Sequence, residues 1–366
     1  MKNKDLRLTV CVVAYNHEKY IAQALDSFLM QKTDFAFQVI VGDDASTDRT
    51  PEILREYARK YPDIIKPILR NKNVGPINNS LDVYDHAKTE YVAICDGDDY
   101  WTDENKLQMQ VDFLDKNRDY SICYHNTKVR FNDNSSKDII WPPEAYRFNK
   151  TVLSLEELAI RNPMHTNSIV YRWRFCDDSI RDFMPDNICP GDYFLALLHA
   201  EKGYVGFIDK VMSVYRRHDG GMSADVNRSE DKTWLKYGIE ELNFHKAVEN
   251  HFRYRLARYM RNEKIKKCVK VLKAYFNTNA YDKIEYYKQN YPEYYELAKE
   301  NFYNPEYNSD AWIFSGILER LQRDVSALNK KIRKNKKRIR LLGCVSFLIF
   351  LVVSFLLYEL FKGYAG

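Results

Sequence analysis

YVAICDGDDYW, residues 91–101, is the stretch from which the fold can be read. Tyr91, Val92, Ala93, Ile94 and Cys95 make a short apolar run without Gly or Pro, the pattern of a strand buried on both faces. The run ends abruptly in Asp96, Gly97, Asp98 and Asp99. Three carboxylates within four residues repel one another, so such a cluster at a strand end calls for a positive partner. A hard divalent cation with oxygen ligands is the usual one. Gly97 lets the backbone turn so that Asp96 and Asp98 face one point. The same residues also read as a polar loop before a helix that Thr102, Asp103 and Glu104 could start.

Outward from this stretch, toward the N-terminus, residues 8–13 (LTVCVV), 37–42 (FQVIVG) and 64–69 are further strand candidates. Helical segments separate them. Residues 18–31 carry Ile21, Leu25, Phe28 and Leu29 at helical spacing. Residues 50–61 open on Thr50-Pro51-Glu52, with Thr50 as N-cap, and stop before Pro62. Residues 79–87 are a third helical segment. This alternation implies an α/β domain with a mostly parallel sheet and helices on both faces. Ligands of such sheets bind at the carboxyl ends of the strands. Three of those ends carry polar clusters: Tyr15-Asn16, Asp43-Asp44, and the run from Asp96 to Asp99. No GxGxxG follows the first strand and no GxxxxGK[ST] occurs, which disfavours a dinucleotide-binding dehydrogenase and a P-loop NTPase.

Taken together, VCVVAYNHEKYIAQALDSFLMQ, VIVGDDASTDRT and YVAICDGDDYW resemble, in order and spacing, the motifs of family 2 glycosyltransferases, the inverting GT-A type. The resemblance covers residues 1–130. It implies a nucleotide-sugar-binding GT-A fold and a set of roles. Val13, Ala14 and Tyr15 would line the nucleotide base, and Asp44 would accept a hydrogen bond from the base or its ribose. Asp96 and Asp98 resemble the DxD element. Asp98 would bind Mn²⁺ or Mg²⁺, and Asp96 would hold the ribose or a metal-bound water. The chemistry is coherent, because a cation clamped by carboxylates neutralises a departing diphosphate. Arg70 or Lys72 would add charge near that diphosphate. The plainer alternatives are loop hydrogen bonding for Tyr15 and Asp44 and a solvated surface charge for Arg70.

Farther along, residues 106–115 read as helix and residues 121–131 as strand, and residues 132–146 read as a polar loop suited to acceptor contact. Ser154-Leu155-Glu156-Glu157 is a capping box, and residues 167–171 are a short strand. Gly191-Asp192 opens an apolar helix. An Asp there caps a helix and offsets its dipole. In the family an acidic pair at this helix start resembles the catalytic base. Here Gly191 replaces the first member and Asp192 keeps the second, so Asp192 is the implied base of a single inverting displacement. YRRHDGGMS, residues 215–223, resembles a loop that folds over the diphosphate. His218 would be a further metal ligand, with a structural histidine as the alternative. Gly220-Gly221 would hinge a lid, and Arg216 or Arg217 would meet phosphate.

Bulk properties set the frame. The chain has 366 residues, 45% hydrophobic residues, a net charge of +5 and 28 Tyr. Its seven Cys are scattered without a CxxC pair, as in a reducing compartment. MKNKDLRLTV lacks an apolar core for a signal peptide, so the main body is expected in the cytosol. We divide the chain into a catalytic domain at 1–224 and a Lys- and Tyr-rich helical region at 225–311. An amphipathic and polybasic segment at 312–340 and a transmembrane helix at 341–361 follow. Residues 330–340 hold eight Lys or Arg, and residues 341–358 carry no charge over eighteen residues. That length spans a bilayer, and the basic flank favours the cytoplasmic leaflet over a nucleic acid. The expectation is a single-pass anchor in the cytoplasmic membrane. The partners would be a nucleotide-sugar donor, UDP-linked, and a saccharide or lipid-linked acceptor, and the apolar stripe at 313–328 hints at a homo-oligomer. A non-catalytic membrane scaffold and a sugar-phosphate nucleotidyltransferase are the alternatives.

Overall fold

The computed structural model describes residues 5–131, 136–144, 151–218 and 229–308. β1 (Leu6–Ala14) pairs in parallel with β2 (Ala36–Asp43), which pairs in parallel with β3 (Ile65–Leu69). On its other side β1 pairs in parallel with β4 (Tyr91–Asp96). Each of these strands divides its side chains between two cores with period two. Val10 and Val12 of β1, Val39 and Val41 of β2, and Ala93 and Cys95 of β4 enter one core. Cys11, Ile40, Val92 and Ile94 enter the other. Burial on both faces is why the sequence of each strand is almost continuously apolar.

Helices cover both faces. α1 (Ile21–Leu29), α2 (Thr50–Lys60), α3 (Pro76–Asp85) and α4 (Lys106–Lys116) link the strands of this half. α3 lies so close on β2 that a Cβ at Gly42 would come within 2.5 Å of Asn79 and Val83. Thr50 does not cap α2. It is the first helical residue, and its hydroxyl accepts the His17 amide at 2.9 Å.

The sheet is mixed, where the alternating pattern implied a mostly parallel one. Beyond β4 the order continues through β9 (Val170–Arg172), β6 (Tyr120–Phe131), β10 (Tyr204–Arg217) and β5 (Tyr100–Trp101). β9 is antiparallel to both of its neighbours, because the chain enters it from a 3₁₀ turn at Thr166–Ser168 with no crossover helix. β6 and β10 are parallel to each other. β7 (Ile139–Trp141) pairs with β6, and β8 (Val152–Leu153) pairs with β10, both antiparallel. The predicted capping box is present: Ser154 and Glu157 exchange side-chain-to-amide hydrogen bonds at the start of α5 (Leu155–Ile160). α6 (Gly191–Ala200) is buried along most of its length.

The contacts divide the chain into two units. The first comprises residues up to 228 together with 239–261, whose Phe244, Val248, Phe252 and Leu256 join the core around α6. The second contains residues 229–238 and those from 262 onward. Helices α7 (Glu230–His251), α8 (Ala257–Asn277), α9 (Tyr281–Asn290) and α10 (Pro292–Asn301) account for these regions. The chain breaks between α7 and α8, which begins at Ala257, because Arg253 and Tyr254 adopt positive φ of 47° and 61°. In the second unit the Tyr-rich run packs helices: buried Tyr287 donates to the Tyr294 carbonyl at 3.0 Å and meets the rings of Tyr275 and Tyr295. Among the described residues no helix is long and apolar enough to cross a membrane. The segments expected at 312–340 and 341–361 lie outside the described residues.

At the amino ends of the central strands, Arg7 bridges Glu90 and Asp115, and Tyr91 donates to Asp115 at 2.6 Å. The Arg7 hydrogen bond holds the Asp115 carboxyl down at about 2, against the opposing effect of burial. A depressed carboxyl stabilises the fold above its unfolded value near 3.9, and that contribution is lost as pH falls toward 2. Arg7→Ala is therefore expected to raise the midpoint pH of acid unfolding. At neutral pH it should cost on the order of 1 kcal/mol in urea titration, the size of a partly solvated pair. An unchanged acid midpoint would refute this role for Arg7.

Candidate active site

Parallel register brings the functional strand ends together. Ala14 pairs with Asp43 and Val13 with Asp96, so the loops after β1, β2 and β4 leave the sheet side by side. The Val13 carbonyl accepts the Gly97 amide at 2.9 Å, and the Ala14 carbonyl accepts the Asp44 amide at 3.0 Å. Tyr15 follows directly and is 46% exposed, an open ring at the mouth of the site.

Gly97 is required by close approach. A Cβ there would lie 2.9 Å from His17 Nδ1 and 3.1 Å from the Val13 carbonyl oxygen. The tight turn that follows separates the roles of three acids. Asp98 Oδ2 lies 2.9 Å from His218 Nε2 and 3.7 Å from His17 Nε2. The Tyr20 ring lies tilted against His218, with centroids 4.5 Å apart. Asp99 points the other way and is 1% exposed. It accepts Asn167 Nδ2 at 2.8 Å and the Arg216 amide at 2.9 Å. The Arg216 guanidinium lies between the rings of Tyr100 and Tyr20 and donates to the Asp98 carbonyl and to Gln23.

These acids differ in charge. Burial pushes Asp96 up to about 7, helped by the negative charges of Asp98 and Asp192. Burial would also raise Asp98, but the His218 contact and the nearby His17 outweigh it and hold the carboxyl low. Burial and the two neighbouring acids push Asp99 well up. The His17 Nδ1 atom is buried and has no hydrogen-bond partner among the described residues. The donor set at this point is a carboxylate oxygen and an imidazole nitrogen beside a second, uncompensated carboxylate. That chemistry fits Mn²⁺ or Mg²⁺. Among the described residues no group of three or more His, Cys, Asp or Glu surrounds a common metal position. Asp98 and His218 could therefore hold a cation that takes its remaining ligands from water and phosphate, as Mg²⁺ commonly does.

Asp192 sits in the first turn of α6. Its Oδ2 accepts the Thr166 hydroxyl at 2.7 Å, and its Oδ1 accepts the Tyr193 amide at 2.8 Å. Gly191 leaves space: a Cβ there would meet only the Met184 methyl, at 3.8 Å. Asp192 is near enough to Asp96 to raise it, so the two stretches flagged in the sequence belong to one electrostatic site.

Two expected donor contacts are already engaged. Asp44 spends its carboxylate on the amides of Val74 and Gly75, at 2.7 and 2.9 Å, and so folds the loop after β3. Arg70 donates to Asn79 at 3.0 Å and pairs with Asp82 of α3. Gly220 and Gly221 lie outside the described residues. Sequence reasoning assigned no role to His17, Asp99, Thr166 or Asn167. His17 lay inside a quoted motif and could have been weighed as a second imidazole. Asn167 had been absorbed into a predicted strand.

Residues 9–177 match the sequence profile of Glycosyl transferase family 2. They are a family 2 glycosyltransferase domain. The chain is 41% identical over 231 residues to the uncharacterized protein Rv1520 of Mycobacterium tuberculosis, covering 63% of this chain and 64% of that protein. It therefore spans less than two thirds of the length of that relative. It is 26% identical over 251 residues to TuaG of Bacillus subtilis, whose name assigns it to teichuronic acid biosynthesis as a glycosyltransferase; the match covers 68% of this chain and 94% of TuaG. The fold resembles that of Staphylococcus aureus TarS residues 1–349, solved with UDP-GlcNAc. The TM-score is 0.50 at 20% identity over 74% of this chain and 73% of that one. The family 2 domain thus has the GT-A-like architecture that its motifs implied.

Within the family 2 domain, Asn167 is fully buried and makes five hydrogen bonds through its side chain and carbonyl. Asn167→Ala would strip the buried Asp99 carboxyl of one donor and remove the acceptor shared by the Thr127 and Ser213 hydroxyls, leaving those two only each other at 2.9 Å. The expected loss of stability is about 3 kcal/mol in urea unfolding. A loss below about 1 kcal/mol would show that water or a rearrangement replaces Asn167.

Proposed function

We propose that the chain is an inverting glycosyltransferase that moves a sugar from a nucleotide-diphosphate donor, UDP-linked, to a saccharide or lipid-linked saccharide. The observation that carries this reading is the convergence of Asp96, Asp98, His218 and Asp192 at the carboxyl end of the sheet. Membership of residues 9–177 in family 2 supports the reaction class.

The chemistry follows from the residues. Asp192 takes the proton of the acceptor hydroxyl. Each of its oxygens accepts one protein donor and keeps lone-pair capacity for that proton. The acceptor oxygen then bonds to the anomeric carbon as the bond from that carbon to the diphosphate oxygen breaks. One displacement inverts the stereocentre. Mn²⁺ or Mg²⁺ at Asp98 and His218 would supply charge neutralisation for the departing diphosphate. Arg216 holds the Asp98 peptide and so aims its carboxylate. Tyr15, with Val13 and Ala14, forms the wall for the base. Asp44 acts on the nucleotide through the Val74–Gly75 loop that it anchors, and Arg70 acts through α3.

The uncharged run at 341–358 and the basic run at 330–340 support attachment to the cytoplasmic face of the membrane through residues 341–361. An enzyme held there meets lipid-linked saccharides, which favours such an acceptor.

Titration calorimetry of the full chain in detergent, with UDP, GDP and CDP and with or without Mn²⁺, tests the donor half. UDP should bind in a Mn²⁺-dependent way, and Asp98→Ala should weaken that binding at least about tenfold. Equal Mn²⁺-dependent binding by Asp98→Ala would remove Asp98 from the metal site. Asp192→Asn tests the base. It should bind UDP and Mn²⁺ as the wild type does, while transfer falls by about 10²–10⁴-fold. Undiminished transfer would assign the base elsewhere.

A further inference from the structure

A ring cluster borders the base and has no part in the donor site. Trp141 ends β7, and its ring meets His165 edge-on at 6.2 Å. The His165 ring lies 4.2 Å from that of Tyr215 on β10. All three are only partly buried. His165 precedes Thr166, whose hydroxyl bonds Asp192 at 2.7 Å. The sheet register gives Trp141 the same address independently. Trp141 pairs with Thr127, and Thr127 bonds the side chain of Asn167, the residue after Thr166. Along β10, Tyr215 lies three residues before His218, while the intervening Arg216 turns to the Asp98 side. The cluster therefore lies beside the base, on the face of β10 away from the Arg216 side chain. Burial, with the nearby Arg217 charge, lowers His165 to about 4, so its ring is neutral at physiological pH. A row of uncharged rings beside a carboxylate base matches the chemistry of a pyranose, which has an apolar C–H face and a polar rim.

We propose that Trp141, His165 and Tyr215 form the acceptor platform, stacking a pyranose so that one of its hydroxyls reaches Asp192. This rests on the transferase reading above and adds to it the residues that hold the acceptor. Thr166 is a positioning residue that fixes the orientation of Asp192 against the platform.

The test uses the full chain with UDP and Mn²⁺ present. Binding of methyl β-glucoside, methyl β-galactoside and methyl β-N-acetylglucosaminide is followed by saturation-transfer NMR. Calorimetry of UDP with Mn²⁺ is run on every variant. At least one glycoside should receive saturation from the wild type. Trp141→Ala and Tyr215→Ala should weaken its binding about tenfold, the size of one lost aromatic contact. Tyr215→Phe, which keeps the ring, should bind it as the wild type does, and all three variants should bind UDP normally. Two results overturn the platform: glycoside binding that is equal in wild type and Trp141→Ala, or a wild type that binds UDP but none of the three glycosides. A wild type that binds no nucleotide with Mn²⁺ refutes the donor reading itself, and the platform with it.

Discussion

The buried contact between Asp99 and Asn167 holds the rest of the site in place. A carboxyl group with 1% exposure, pushed well up by burial, is tolerated in a protein interior only when hydrogen-bond partners meet it. Asn167 and the Arg216 amide do so from two different strands' worth of chain. Asn167 in turn accepts Thr127 and Ser213 and receives the indole of Trp101. β4, β6, β10 and the 3₁₀ turn before β9 are thereby tied at one point. With Asp99 committed to that knot, Asp96 and Asp98 remain to face solvent and substrate.

Charge around the knot is arranged to be incomplete. Asp98 and Asp192 both bear on Asp96, yet the buried Arg216 guanidinium nearby spends little on their carboxylates. The Arg216 guanidinium is aimed at a carbonyl, at Gln23 and at two tyrosine rings. Burial makes its own charge costly and lowers it. His17 and His218 approach Asp98 as nitrogen donors. The result is a carboxylate with two imidazoles at hand beside further acids, the donor chemistry that would suit a divalent cation.

Much of this was legible in the chain. The strands β1, β2 and β4 announce themselves because both faces are buried, so their sequences are almost continuously apolar. The acidic turn, Asp192 at a helix start and His218 after the last long strand stand out in the chain as polar groups at strand ends and a helix start, and the fold brings His218 to Asp98. The mixed sheet was not readable, because β9 is three residues long and its direction is set by its neighbours. The engagement of Asp44 and Arg70 was hidden for a related reason. Their partners, Val74, Gly75 and Asp82, are donors and acceptors that any loop or helix surface offers.

The sequence by itself determined the class of the domain, the two-faced central strands and the list of acids on which chemistry would rest. These follow from local pattern, since burial and turn geometry act over a few residues. Tertiary structure alone decided which acid does what. Asp98 and Asp99 are adjacent and chemically identical, yet one faces His218 and the other Asn167, residues 120 and 68 positions away. The distinction rests on hydrogen-bond partners and burial, and these exist only once distant strands have met.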